Sequence, residues 1–155
     1  MQTDKLDFIQ NRMFLLLSNL QPEAAGKWGR MSAQQMVEHL SFIFGASSGK
    51  VETSLLIPEE FLPKAVAFLW SDKEFRENTK APAGLIPEEP QPLQYTTMQD
   101  AITALKNEVD YFINYFTSQP GIKILHPSFG DLDYEGWIQL HHKHVTHHLK
   151  QFGLL

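Results

Sequence analysis

Between Thr97 and Thr117, Met98, Ile102, Leu105, Val109, Phe112 and Phe116 recur in alternating steps of four and three. That spacing gathers six apolar side chains onto one stripe of a helix, the seam of a helix packed along another at a shallow angle. A chain carrying such a seam must supply further amphipathic helices to cover it. Thr3 or Asp4 can cap a first one running to about Leu20, with Leu6, Ile9, Met13, Leu16, Leu17 and Leu20 on its apolar face. Ser32 opens a second, Ala33 to about Phe44, through the Ser-x-x-Gln pattern in which each side chain satisfies the other's orphan amide. Met36, Leu40, Ile43 and Phe44 form its buried stripe, and Gly45 is expected to stop it.

From Ala46 to Pro92 the periodicity weakens. Pro58 to Trp70 allows a short helix, with Pro63 tolerated only near its first turn. Lys80 to Pro92 carries Pro82, Pro87, Pro90 and Pro92, which favours an extended surface segment packed across the domain. Pro120-Gly121 breaks the helix begun at Thr97, and a connector follows from Ile122 to Gly130. Asp131 or Asp133 then caps a last helix with Glu135 in its first turn. No strand pattern competes with these helices. The expected fold is all-α, a four-helix bundle over residues 1–155 as one domain, with a long irregular insertion between the second and third long helices.

The last helix has an unusual composition. Five of the seven histidines lie between His141 and His148. At about 100° per residue, His141, His144 and His148 fall within about 60° of one another, in the sector of Trp137. His142, His147, Lys143 and Lys150 point elsewhere, and His142 and His147 are expected to face solvent. His144 and His148, four apart, stand one turn above the other and can reach a single ion. The partner they need is His39, set between Met36 and Ile43 on the inward stripe of the second helix. Three neutral imidazoles suit a divalent ion, Zn²⁺, Ni²⁺ or Fe²⁺, and leave positions open for water, thiolate or substrate. The plainer alternative is a set of core histidines, each satisfied by a hydrogen bond. His141 is a rival ligand or a supporting donor in the same sector. His126 suits a loop-structuring role, or a place near the mouth of the site. Trp28 and Trp137 suit the core, with pocket lining as the alternative.

Composition narrows the function further. A net charge of −5 without any run of Lys or Arg leaves no stripe to neutralise phosphates, which argues against a nucleic-acid partner. With no cysteine there can be no disulfide or thiolate ligand, so any thiol must come with the substrate. Met13 to Leu17 is far too short to span a bilayer, and the first residues lack a signal-peptide pattern, so a soluble cytoplasmic protein is expected. His-Glu-x-x-His is absent, Glu38 projects about 100° from His39, and there is no glycine-rich phosphate loop.

Three stretches carry a family resemblance: Trp28 to Leu40, Lys80 to Pro87, and His126 to Leu132 continued by His144-Val-Thr-His-His148-Leu-Lys-Gln151. Together they resemble the DinB/YfiT-like superfamily of metal-binding four-helix bundles, and within it a branch known as a domain of unknown function. The resemblance implies the ligands His39, His144 and His148, with Gln151 in packing or support of a ligand. Leu149-Lys150 stands where the superfamily often has Arg-Gly. It also implies a small-molecule substrate and, as in some relatives, a transferase or isomerase using a low-molecular-weight thiol activated by the metal. Homodimers are common among such proteins. A non-catalytic bundle pinned by its ion and a metal-dependent hydrolase are the alternatives.

Overall fold

A computed structural model describes residues 2–81 and 86–155. The protein is mostly helical with one small antiparallel sheet. Helix α1 is a continuous run of three segments: α-helical Thr3–Asp7, a π-helical turn Phe8–Arg12 and α-helical Met13–Leu17. Its buried side is Ile9, Met13 and Leu17. It ends at Leu17, three residues before the expected stop, where the amide of Leu20 turns back to the Leu17 carbonyl.

Helix α2, Ala33–Ser47, begins with the expected capping box. The Gln35 amide donates to Ser32 Oγ at 3.2 Å and the Ser32 amide donates to Gln35 Oε1 at 2.9 Å. It runs past Gly45, which was expected to end it. The stop comes at Gly49, whose φ of +76° allows the amides of Gly49 and Lys50 to turn back onto the carbonyls of Ala46 and Gly45. That is a Schellman ending, which needs a left-handed residue just beyond the helix. The buried stripe of α2 includes Val37 and Ala33, while Ile43 is only half-buried.

A 3₁₀ turn, Glu59–Phe61, leads into α3, Leu62–Trp70, with Pro63 in its first turn. Helix α4, Met98–Thr117, is capped by Thr97, whose Oγ accepts from the Asp100 amide at 3.1 Å. Its seam is spent inside the chain against α2: Leu105, Val109 and Phe112 are fully buried. Helix α5, Tyr134–Gln151, is capped by Asp133, and the alternative cap Asp131 lies in a strand. Strands β1, Ile124–His126, and β2, Gly130–Leu132, pair antiparallel with His126 opposite Gly130. This hairpin corrects the all-helical expectation. Strands of three residues are too short to show an alternating pattern in sequence.

The segment that links α2 to α4 is irregular outside α3, as expected, though Pro82 and the rest of residues 82–85 lie outside the described residues. Its later part is tied to the exposed edge of α2. Gln34 Nε2 donates to the Tyr95 carbonyl, Gln35 Nε2 to the Gln91 carbonyl, and Glu38 Oε1 accepts from the Gln94 amide at 2.6 Å. Glu38 is therefore a docking group for this segment.

Its earlier part is gripped by α5. Gln139 Nε2 donates to the Leu69 carbonyl at 2.7 Å; one turn on, Lys143 Nζ donates to the carbonyls of Ser71 and Lys73. Next along the same side, His147 packs on Phe75 and Lys150 pairs with Glu74 at 2.5 Å. Residues 139, 143, 147 and 150, spaced four, four and three, thus hold one strap of chain. Lys143 is buried, and burial, with Lys5 nearby, lowers the pKa of its ammonium. Lys143→Met keeps the apolar stem and removes the two donations. We expect a loss of about 1–3 kcal/mol, the range for carbonyls left unpaired, seen in urea denaturation, with faster proteolysis at residues 71–79.

Among the described residues no helix is long and apolar enough to cross a membrane.

Candidate metal centre

His39 stands on the second turn of α2, on the side that meets α5, because the capping box sets the helix phase from Ser32 onward. His144 and His148 face it from successive turns of α5. His144 Nε2 lies 3.1 Å from His39 Nε2 and 2.9 Å from His148 Nε2. One nitrogen from each of the three residues falls within 4.8 Å of the others. Their rings are close to perpendicular, with centroids 4.6–5.0 Å apart.

Burial decides the charge of these rings. It is the main cause that lowers His39 to a pKa of about 4 and His148 to about 3, with neighbouring histidines adding to it; His144 is pushed well below its ordinary value for the same reasons. At neutral pH all three are uncharged, and each then has one N–H and one lone pair.

Hydrogen bonding identifies one tautomer. Gln151 Nε2 donates to the Trp28 carbonyl at 2.9 Å, so its Oε1 is the atom 2.7 Å from His148 Nδ1. An amide oxygen only accepts; His148 therefore carries its proton on Nδ1 and turns a lone pair at Nε2 toward His144. His144 Nε2 has a single N–H at most and cannot satisfy both neighbours. At least one of the two short contacts is then left without a hydrogen bond of its own, unless a cation lies between the rings.

Two of the three nitrogen separations match those of ligands sharing one divalent ion. Nitrogens about 2.0–2.1 Å from a common ion lie roughly 2.9 Å apart at right angles and roughly 3.4 Å apart at the tetrahedral angle. The two short separations, 2.9 and 3.1 Å, fall in that interval. The three histidines lie close together and could hold a metal ion.

The other singled-out residues have different surroundings. His141 is fully buried and stacks flat on Phe44, ring centroids 3.7 Å apart, with Phe112 edge-on. Ser47 Oγ donates to the Phe44 carbonyl and accepts from His141 Nε2 at 2.9 Å. His141 Nδ1 has no hydrogen-bond partner among the described residues. His141 is thus a core histidine, absent from the convergent group. His126 Nδ1 accepts from the Ser128 amide at 2.9 Å and its ring meets Phe129 and Trp137, so it shapes the hairpin loop. Trp137 is core, with Nε1 donating to the Ile124 carbonyl at 3.2 Å. Trp28 is half-buried, its ring against His147.

His142 and His147, expected to face solvent, are half-buried. His142 meets the edge of Phe8, and His147 sits between Trp28 and Phe75. Helix periodicity could not show this, because the covering residues come from α1, the strap and the connection that carries Trp28. The role of Gln139 and Lys143 was missed for the same reason. Its only trace in sequence is the four-four-three polar spacing on a helix already marked as amphipathic.

Burial also sets a pH response. Burial is the first cause that lowers His126 to a pKa of about 4 and His141 to about 3, while the unfolded value is 6.5. Below pH 6.5 the unfolded chain takes up protons that these folded imidazoles refuse. Stability is therefore full above pH 6.5 and falls as pH drops toward 4 and then 3, by about 1.4 kcal/mol per pH unit for each such histidine. In chelator-treated protein, urea denaturation from pH 7 to 4.5 should show this decline. His141→Leu should remove about one proton from the slope.

These features define a mostly helical protein with three inward histidines able to hold a metal ion. The chain belongs to the family DUF1569, described as a protein of unknown function, whose model matches residues 2–153. Comparisons with curated proteins and with solved structures gave no match.

Proposed function

We propose that the chain is a DinB/YfiT-like four-helix bundle of one domain, and that His39, His144 and His148 hold a divalent ion for an enzyme acting on a small molecule. Zinc or nickel suits three imidazoles best, with iron as the third choice. The observation that carries this reading is the convergence of three uncharged Nε2 groups at 2.9 and 3.1 Å, with too few protons to satisfy one another. α1, α2, α4 and α5 supply the four helices of the bundle.

When bound by three neutral imidazoles, a divalent ion keeps coordination positions open and lowers the pKa of a thiol or water that reaches it. The residues of the chain do the rest. Gln151 keeps the His148 lone pair inward, and burial keeps all three rings unprotonated near pH 7. A cleft of about 250 Å³, lined by Trp28, Phe75 and His147 with the charged residues Lys27, Glu74, Glu77 and Lys150, adjoins the three histidines only through His147, whose ring meets that of His148. Its volume is slightly below the roughly 300–1,000 Å³ of drug-sized ligand sites and suits a smaller substrate. With no cysteine in the chain, a thiol-dependent transferase or isomerase would draw its thiol from a low-molecular-weight cosubstrate.

A second reading has its own support. The ligands come from α2 and α5, so an ion would pin two helices whether or not it takes part in a reaction. Protein purified without a histidine tag separates the readings. About one equivalent of zinc, nickel or iron, with consumption of glutathione, bacillithiol or mycothiol in the presence of electrophiles, supports the transferase. Metal-dependent stability without turnover supports the pinned bundle, and turnover without thiol a hydrolase. Protein that neither retains nor takes up a divalent ion would sink all three.

A further inference from the structure

The loop from Gly26 to Gly29 is built around one side chain of α5. The Lys27 amide donates to the Gln151 carbonyl at 2.7 Å, and Gln151 Nε2 donates to the Trp28 carbonyl at 2.9 Å. A Cβ at Gly26 would lie 2.8 Å from the Trp28 carbonyl oxygen and 2.9 Å from Gln151 Cγ. A Cβ at Gly29, where φ is +77°, would lie 2.7 Å from Gln151 Nε2. Neither glycine leaves room for a methyl group, and Gly29 also occupies backbone space that other residues adopt only with strain. Gln151 is 3% exposed, so its amide has no water to turn toward.

These contacts remove the freedom that an amide ordinarily has. Turned by 180°, the Gln151 side chain would set its oxygen against the Trp28 carbonyl and its NH₂ against His148 Nδ1, losing the donation to Trp28. The observed orientation leaves Oε1 on His148 Nδ1 at 2.7 Å. We infer that Gln151, clasped by the Gly26–Gly29 loop, is the positioning residue of the metal centre, holding His148 as the Nδ1–H tautomer with its Nε2 lone pair aimed at the ion. The inference rests on the three-histidine reading above and adds the device that prepares one ligand before metal arrives. A ligand histidine whose outer nitrogen is held by an acceptor is oriented and made a better donor, and loss of that partner typically weakens binding about 10–100-fold.

The test uses the full chain as wild type, Gln151→Leu and Gln151→Glu. Zinc affinity is measured by competition with a chromophoric chelator. The histidine tautomers of the metal-free wild type are read by ¹⁵N NMR. We expect the Nδ1–H form at His148, zinc binding about 10–100-fold weaker in Gln151→Leu, and affinity retained within a few-fold in Gln151→Glu. The carboxylate of that variant still accepts from Nδ1–H but gives nothing to the Trp28 carbonyl, so a merely structural role for Gln151 predicts equal damage from both changes. Equal loss in the two variants, undiminished affinity in Gln151→Leu, or an Nε2–H tautomer at His148 would overturn the inference. Should Gln151→Leu fail to fold, the wild-type tautomer and the affinity of Gly29→Ala, expected to fall because its methyl displaces the amide, decide the matter. Absence of zinc binding in the wild type would instead refute the three-histidine reading, with the tautomer still reporting on the clasp.

Discussion

Replacing His144 with alanine is expected to abolish the stabilisation that a divalent ion gives the wild-type protein. His144 is the central member of the group, the one whose Nε2 lies within 3.1 Å of both others. Without it, His39 and His148 remain on different helices with no bridging donor. The affinity should fall by more than the roughly 10–100-fold that a supporting group is worth. In the wild type, free metal at about 100 times its Kd should add about 2.7 kcal/mol, a rise in melting temperature that the variant lacks. The metal-free variant should itself fold. His144 is half-buried within α5, and its Nε2 cannot make good hydrogen bonds to both neighbouring rings at once, so its loss costs the metal-free protein little. The measurement is a pair of thermal melts, with zinc and with chelator, for each protein.

The second large effect is expected far from the histidines. Phe112 is fully buried and meets Phe44 at 5.7 Å, Phe116 at 5.3 Å, Tyr134 at 5.6 Å and His141 at 4.9 Å between ring centroids. It is the hub where α2, α4 and α5 share one aromatic cluster. Phe112→Ala removes a large buried side chain and leaves a cavity walled by rigid rings that cannot collapse into it. A loss of about 3–5 kcal/mol follows, which is a large part of the roughly 5–15 kcal/mol that holds a domain together. Chemical denaturation of metal-free protein measures it. Because the cluster holds α5 against α2, zinc should return part of the loss. The ion would bind only the folded arrangement.

The helices were legible wherever a face is buried along its whole length. The capping box of α2 appears at the residues expected, and so does the seam of α4 except at Ile102, which is half-buried while its neighbour Ala101 is buried. The miss at the end of α2 has a local cause. Gly45 lies inside the helix, and the left-handed position that stops it falls four residues later at Gly49, so a glycine alone does not say where a helix turns. The hairpin at Ile124–Leu132 was illegible because it is short, and its turn is shaped by His126 accepting from a nearby amide.

For the site, periodicity placed His39, His144 and His148 on facing stripes, and the structure brings those three together. The same periodicity put His141 in the inward sector without separating ligand from core. What separates them is Phe44, stacked flat on its ring, and Ser47, taking its N–H. Neither contact is visible until α2 is packed on α5. Helix periodicity does not give the environment of His142, Lys143 and His147, because a helix face is exposed only until another part of the chain covers it, and here Phe8 of α1 covers His142 while residues 69–75 cover Lys143 and His147. Tertiary neighbours far away in sequence, such as Trp28 for Gln151, are the part that no spacing rule contains.

X-ray absorption at the metal edge of protein loaded with one equivalent of zinc tests the central claim most directly. The account predicts a first shell containing three nitrogen donors at about 2.0–2.1 Å with the outer-shell scattering of three imidazole rings, reduced by one ring in His144→Ala. A first shell of oxygen donors alone, or an imidazole count unchanged by that substitution, would contradict it.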